Sequence, residues 1–89
     1  MDAEELISRY NAGDREFSGA YLANANLSGV ALGEANLNEA DLRGANLEGT
    51  FLYGASLSGA NLEGANLDGV KLYGADLSGA TLPDGTVQE

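Results

Sequence analysis

Carboxylates are the only abundant reactive groups in this chain: fourteen Asp and Glu stand against four Arg and Lys, and there is neither His nor Cys. Paired carboxylates can act as general acid and base, or hold a hard cation such as calcium, when a pocket perturbs them or gathers their oxygens. Lacking His, the chain has neither the usual base near neutral pH nor the commonest metal ligand; lacking Cys, it has no disulfide or thiolate site. Its many Gly residues follow neither the phosphate-loop pattern nor the Gly-Gly-x-Gly-x-Asp pattern of calcium-binding β-rolls. These residues imply no enzyme, no cofactor and no metal centre. The types that interfaces favour are more suggestive, because Phe51 and Tyr53 are answered twenty residues later by Lys71 and Tyr73. These four are the candidate protein-interaction surface.

The elements that position them follow from a period of five. Leu fills the same slot thirteen times in succession, from Leu22 to Leu82, with a small residue two places before it, as in Ala35, Ala40 and Ala45. On a helix that spacing spirals around the axis, and on a strand it alternates faces, so the chain must turn once per unit. Gly holds the fifth slot in ten of fifteen units, which suits the third position of a type II turn, where φ is positive. Glu34 and Glu39 replace Gly at two successive corners, and a different turn type is expected there. A second recurrence suggests how many corners close a coil. The small inward slot departs from Ala at Val30, Thr50 and Val70, and Tyr53 and Tyr73 share the same spacing of twenty.

The repeating Ala, Asn or Asp, Leu, x, x unit over residues 15–89 resembles the pentapeptide-repeat family. That resemblance implies an all-β solenoid, a right-handed quadrilateral β-helix with four pentapeptides per coil and just under four coils. It places Phe17, the thirteen Leu and Val87 inward, beside the small residues. It implies a non-catalytic structural or protein-interaction module of unassigned partner. The alternative, drawn from relatives that mimic DNA, is an acidic rod that binds a type II topoisomerase such as gyrase. In this register Phe51, Tyr53, Lys71 and Tyr73 share the outside of one face, with the two Tyr stacked on each other as the alternative to a recognition role. Asn26, Asn46 and Asn66 would form an amide ladder between coils, Arg43 would pair with Glu63, and Glu48 would oppose Asp68.

A solenoid leaves an apolar layer and unpaired backbone at each end. Residues 1–14 supply one cover: Asp2 and Glu5 have capping-box spacing, and Leu6, Ile7 and Tyr10 recur on one side of a helix expected over Asp2 to Tyr10. The leader resembles those of cyanobacterial family members. No comparable segment follows the repeats. Pro83-Asp84-Gly85-Thr86 reads as a turn, leaving Leu67, Leu72, Leu77, Leu82 and Val87 as an uncovered layer through which a homodimer could form. A net charge of -10 opposes direct nucleic-acid binding and attachment to an anionic membrane. The acidic start is unlike a secretory signal, so the expected compartment is the cytoplasm.

Overall fold

Turning once per unit lets every Leu point inward while the backbone between corners pairs along the axis. The structure is a computed structural model that describes all 89 residues. Ten parallel bridges, from Glu16 with Asn36 to Asn61 with Thr81, each join residues twenty apart, so four units complete a coil of this β-helix solenoid. Two hydrogen bonds recur along the ladder: the N–H of Leu27 donates forward to the carbonyl of Asn46 at 2.8 Å, and the N–H of Asn46 donates back to Ala25 at 2.9 Å. Each corner is closed by its own bond, such as Val30 N–H to the Leu27 carbonyl at 3.1 Å, with Gly29 between them at φ 70. The molecule measures 34 × 23 × 22 Å.

Nine Leu, from Leu22 to Leu62, are buried with Phe17, and the intervening space is filled by Ala35, Ala40, Ala45, Ala55 and Ala60. Thr50 takes a small inward slot without strain, because its hydroxyl donates to the Leu27 carbonyl at 2.6 Å. The interior is therefore packed, with no channel along the axis.

The corners at Glu34 and Glu39 do not change turn type. Glu34 and Glu39 adopt φ 65 and 62, and Asn24 φ 63, close to the Gly corners of the repeats, which run from 66 to 75. Ladder pairing on both sides of these corners fixes the backbone, and the local residue must follow. Glu34 lies over Gly54, Glu39 over Gly59 and Asn24 over Gly44 in the next coil; a Cβ at Gly59 or Gly44 would crowd the side chain above it, and one at Gly54 would only touch Glu34. Neither Glu carboxylate makes a hydrogen bond or ion pair. Left-handed backbone costs a non-Gly residue about 1–2 kcal/mol, against about 0.5–1 kcal/mol of extra chain entropy for Gly. Glu34→Gly and Glu39→Gly should therefore each stabilise the protein by about 0.5–1 kcal/mol, seen as a higher urea midpoint. Unchanged or lower midpoints would contradict this account.

Helix α1 spans Ala3–Asn11, and its N-cap Asp2 accepts a hydrogen bond from the Glu5 N–H at 2.8 Å. Leu6 is fully buried against the first coil, flanked by Met1, Ala3 and Tyr10. Ile7 is only half-buried and stays outside this contact, because Ala3, Leu6 and Tyr10 make the truer helical stripe. Arg9 ties the helix to the following turn through Asp14 at 2.8 Å and lies 5.3 Å from the Phe17 ring centre.

At the other end Val87 does not join the inward column: it is 61% exposed and pairs antiparallel with Thr81. Pro83 and the Asp84-Gly85 turn reverse the chain, so that the Gln88 carbonyl accepts from Gly79 N–H and Gln88 N–H donates to Ala80, both at 2.8 Å. The tail thus supplies the backbone partners that a further coil would give at one corner. Leu67, Leu72, Leu77 and Leu82 remain half-buried.

Candidate interaction surface

The candidate residues occupy one face because the coil returns every twenty residues. Ala31, Phe51 and Lys71 stack as successive bridge partners, with Gly33, Tyr53 and Tyr73 at the adjoining corner. All four residues singled out from the sequence are brought together there. Phe51 and Tyr53 rings lie 6.1 Å apart at an interplanar angle of 46°, and the Lys71 ammonium sits 5.2 Å from the Phe51 ring centre. Lys71 also donates to the Gly69 carbonyl at 3.0 Å, which holds the charge beside the aromatic surface. Such a cation–π contact at an exposed site contributes about 0.5–1 kcal/mol. Tyr53 therefore packs against Phe51 of its own unit, and Tyr73 stands free at 87% exposure.

The top of this corner column is filled from outside the repeats. Tyr10 of α1 donates its hydroxyl to the Gly33 carbonyl at 2.7 Å, and Arg15 covers the Tyr10 ring at 3.7 Å. The sequence pointed to Tyr10 only as core cover. Its continuation of the Tyr53–Tyr73 corner depends on where the helix lands. Tyr21 is 60% exposed on another face and is not among the residues the sequence singles out. Its position in an outward second slot was the available signal.

The remaining polar surface is occupied locally. Asn26, Asn46 and Asn66 do not ladder between coils: each Oδ1 accepts the N–H two residues on, at 3.2, 3.1 and 2.9 Å. The N–H at the adjoining corner is two residues away on the same chain segment, so the local Asx turn wins over an amide ladder. Arg43 likewise bonds Asp41 of its own unit at 2.7 Å in place of Glu63. This guanidinium lowers the Asp41 pKa, and the Asp41 carboxylate raises that of Arg43. The Ser78 hydroxyl and N–H lower Asp76, and the Thr86 hydroxyl and N–H lower Asp84. The Glu16 N–H, then Arg9, lower Asp14, while the Ser18 hydroxyl and the Asn36 amide lower Glu16. These carboxylates are held ionised, the opposite of what a general acid needs at neutral pH. No three acidic side chains converge into a group that could hold a metal ion. A groove of about 510 Å³ lies between the start of α1 and Tyr21–Asn26, bordered by Asp2 and Glu4.

A packed four-unit coil with a convex, locally bonded surface defines a solenoid repeat protein. The chain belongs to the pentapeptide-repeat family, whose model matches eight copies over residues 16–52 and 52–82. Among solved structures it is similar to the pentapeptide repeat protein Rfr23 from the cyanobacterium Cyanothece 51142, with 40% identity and a TM-score of 0.67 over 83% of this chain and 54% of that one. It is also similar to HetL from the cyanobacterium Nostoc sp. strain PCC 7120, a pentapeptide repeat protein involved in heterocyst differentiation regulation, with 31% identity, a TM-score of 0.63, and coverage of 81% and 42%. The chain thus spans about half the length of these two relatives. A search of curated proteins gave no match. No helix is long and apolar enough to cross a membrane.

Proposed function

We propose that the protein is a non-catalytic interaction module that presents Phe51, Tyr53, Lys71 and Tyr73 to a protein partner. The observation that carries this reading is that three of the four exposed aromatic side chains lie on one face of the solenoid. Phe51, Tyr53 and Tyr73 are 38%, 46% and 87% exposed, and Lys71 is fixed beside them. Aromatic side chains offer large contact area for few rotatable bonds, and they are the types on which interface energy concentrates. The similarity to HetL, which is involved in heterocyst differentiation regulation, is in keeping with a recognition role for this chain. DNA mimicry has weaker support, since a length of 34 Å spans about one turn of duplex.

Affinity capture from a lysate of the source organism tests the proposal, with wild type and the Tyr53→Ser/Tyr73→Ser double variant as baits. The variant should keep the wild-type melting temperature, because both rings are outside the core, and should lose its specific partner. Identical capture by the two baits would overturn the assignment of this face.

A further inference from the structure

The ladder has an unpaired edge beside the groove at α1. In the interior coils, Asp41 N–H donates to the Ala20 carbonyl, and the Asp41 and Arg43 carbonyls accept from Leu22 and Asn24, at 2.9, 2.8 and 2.8 Å. The corresponding groups one coil earlier are the N–H and carbonyl of Tyr21 and the carbonyl of Ala23, and none of them has a partner in the chain. The N–H of Asn26 is likewise unpaired, whereas that of Asn46 is bonded to Ala25. The reason lies in α1. A coil stacked above Tyr21 and Asn26 would use residues twenty earlier, and those residues belong to the N-terminal segment, whose helix satisfies its own amides. The helix covers Leu22 and Leu27 without completing the ladder.

We propose that this edge and its groove take an extended segment of another protein, carrying a basic residue, as an added strand. The open N–H and carbonyl groups supply main-chain bonds in the manner of β-strand addition. Met1, Ala3, Ala23 and Ala25 line the groove with apolar surface, and Asp2 and Glu4 are its only charged side chains. A peptide Lys or Arg directed at Asp2 and Glu4 complements them, and the chain's charge of -10 repels an acidic segment. Exposed Tyr21 flanks the path as a wall for the added strand. This surface is at the helical end of the solenoid and is independent of the aromatic face.

The test uses an acetylated, amidated heptapeptide alternating Val with Arg, titrated into the labelled protein and followed by backbone amide NMR. Saturable shifts confined to residues 1–4 and 21–26 are expected, with slowed hydrogen exchange at the Tyr21 and Asn26 amides. With few main-chain bonds and one small apolar contact, Kd should be on the order of 0.1–1 mM. Glu in place of Arg in the peptide should weaken binding about tenfold or more. Tyr21→Pro and Asn26→Pro each delete a backbone N–H that the folded chain does not use, so each should weaken binding about tenfold. Tyr21→Pro should leave the melting temperature unchanged, and Asn26→Pro should lower it slightly, because it also removes the Oδ1 that accepts from Ser28 N–H. Two variants guard against misfolding of one. Absence of saturable binding, shifts spread over the acidic faces, or unslowed exchange at the Tyr21 and Asn26 amides of the wild type would each overturn the proposal, as would full affinity in a folded Pro variant.

Discussion

Leu42→Ala is expected to destabilise the protein by about 2–5 kcal/mol. Total stability for a domain of this kind is about 5–15 kcal/mol, so the loss is a large part of it. Leu42 stacks between Leu22 and Leu62, all three at most 1% exposed. The backbone on both sides is tied by ladder bonds, which prevents the coils from closing over the missing atoms, and the cavity adds its own cost to the lost burial. Leu77→Ala provides the contrast. Leu77 occupies the last coil and is only half-buried, so neighbouring side chains and water can occupy the space, and less burial is lost. Urea unfolding followed by circular dichroism should place the Leu42 variant's midpoint well below that of the Leu77 variant. Equal midpoints would mean that the interior relaxes freely, contrary to the packing described.

Asn46→Pro should be comparably damaging. The Asn46 N–H donates to the Ala25 carbonyl, and the Asn46 carbonyl accepts from Leu27, so this residue is bonded toward the preceding coil through both backbone groups. Its bridges to Asn26 and Asn66 place it inside the ladder. Proline removes the donor and sets its ring against Ala25, where the hydrogen bond had drawn the two coils together. Stranding the carbonyl costs about 1–3 kcal/mol before any displacement of the coil. The same residue type at Tyr21 meets no ladder partner and should cost little. Similar melting temperatures for Asn46→Pro and Tyr21→Pro would refute the pairing scheme.

Much of this architecture was legible because each unit repeats the same choice. Leu22 to Leu62 form the core as their spacing implied, and the recurrence of Val30, Thr50 and Val70 matches the bridges at twenty residues. The face holding Phe51, Tyr53, Lys71 and Tyr73 followed from that register alone. The side chains around it were less predictable. Stacking twenty apart makes Arg43 and Glu63 neighbours, yet Asp41 is nearer along the chain and captures the guanidinium. The Asn residues likewise turn to their own corners, where an unpaired N–H lies two residues away.

The sequence by itself determined the period and the inward Leu positions, because these depend on a pattern that every unit reinforces, while the recurrence of Val30, Thr50 and Val70 pointed to four units per coil. Tertiary structure alone decided the features that occur once. Glu34 and Glu39 accept left-handed backbone because the ladders on either side dictate it, and Gly59 leaves room beneath Glu39. Val87 leaves the inward column because the tail finds antiparallel partners at Gly79, Ala80 and Thr81. The open edge at Tyr21 and Asn26 exists because α1 bonds internally where a coil would have bonded to them. In each case a contact between residues distant along the chain outweighs the local preference, and a five-residue pattern carries no record of that contact.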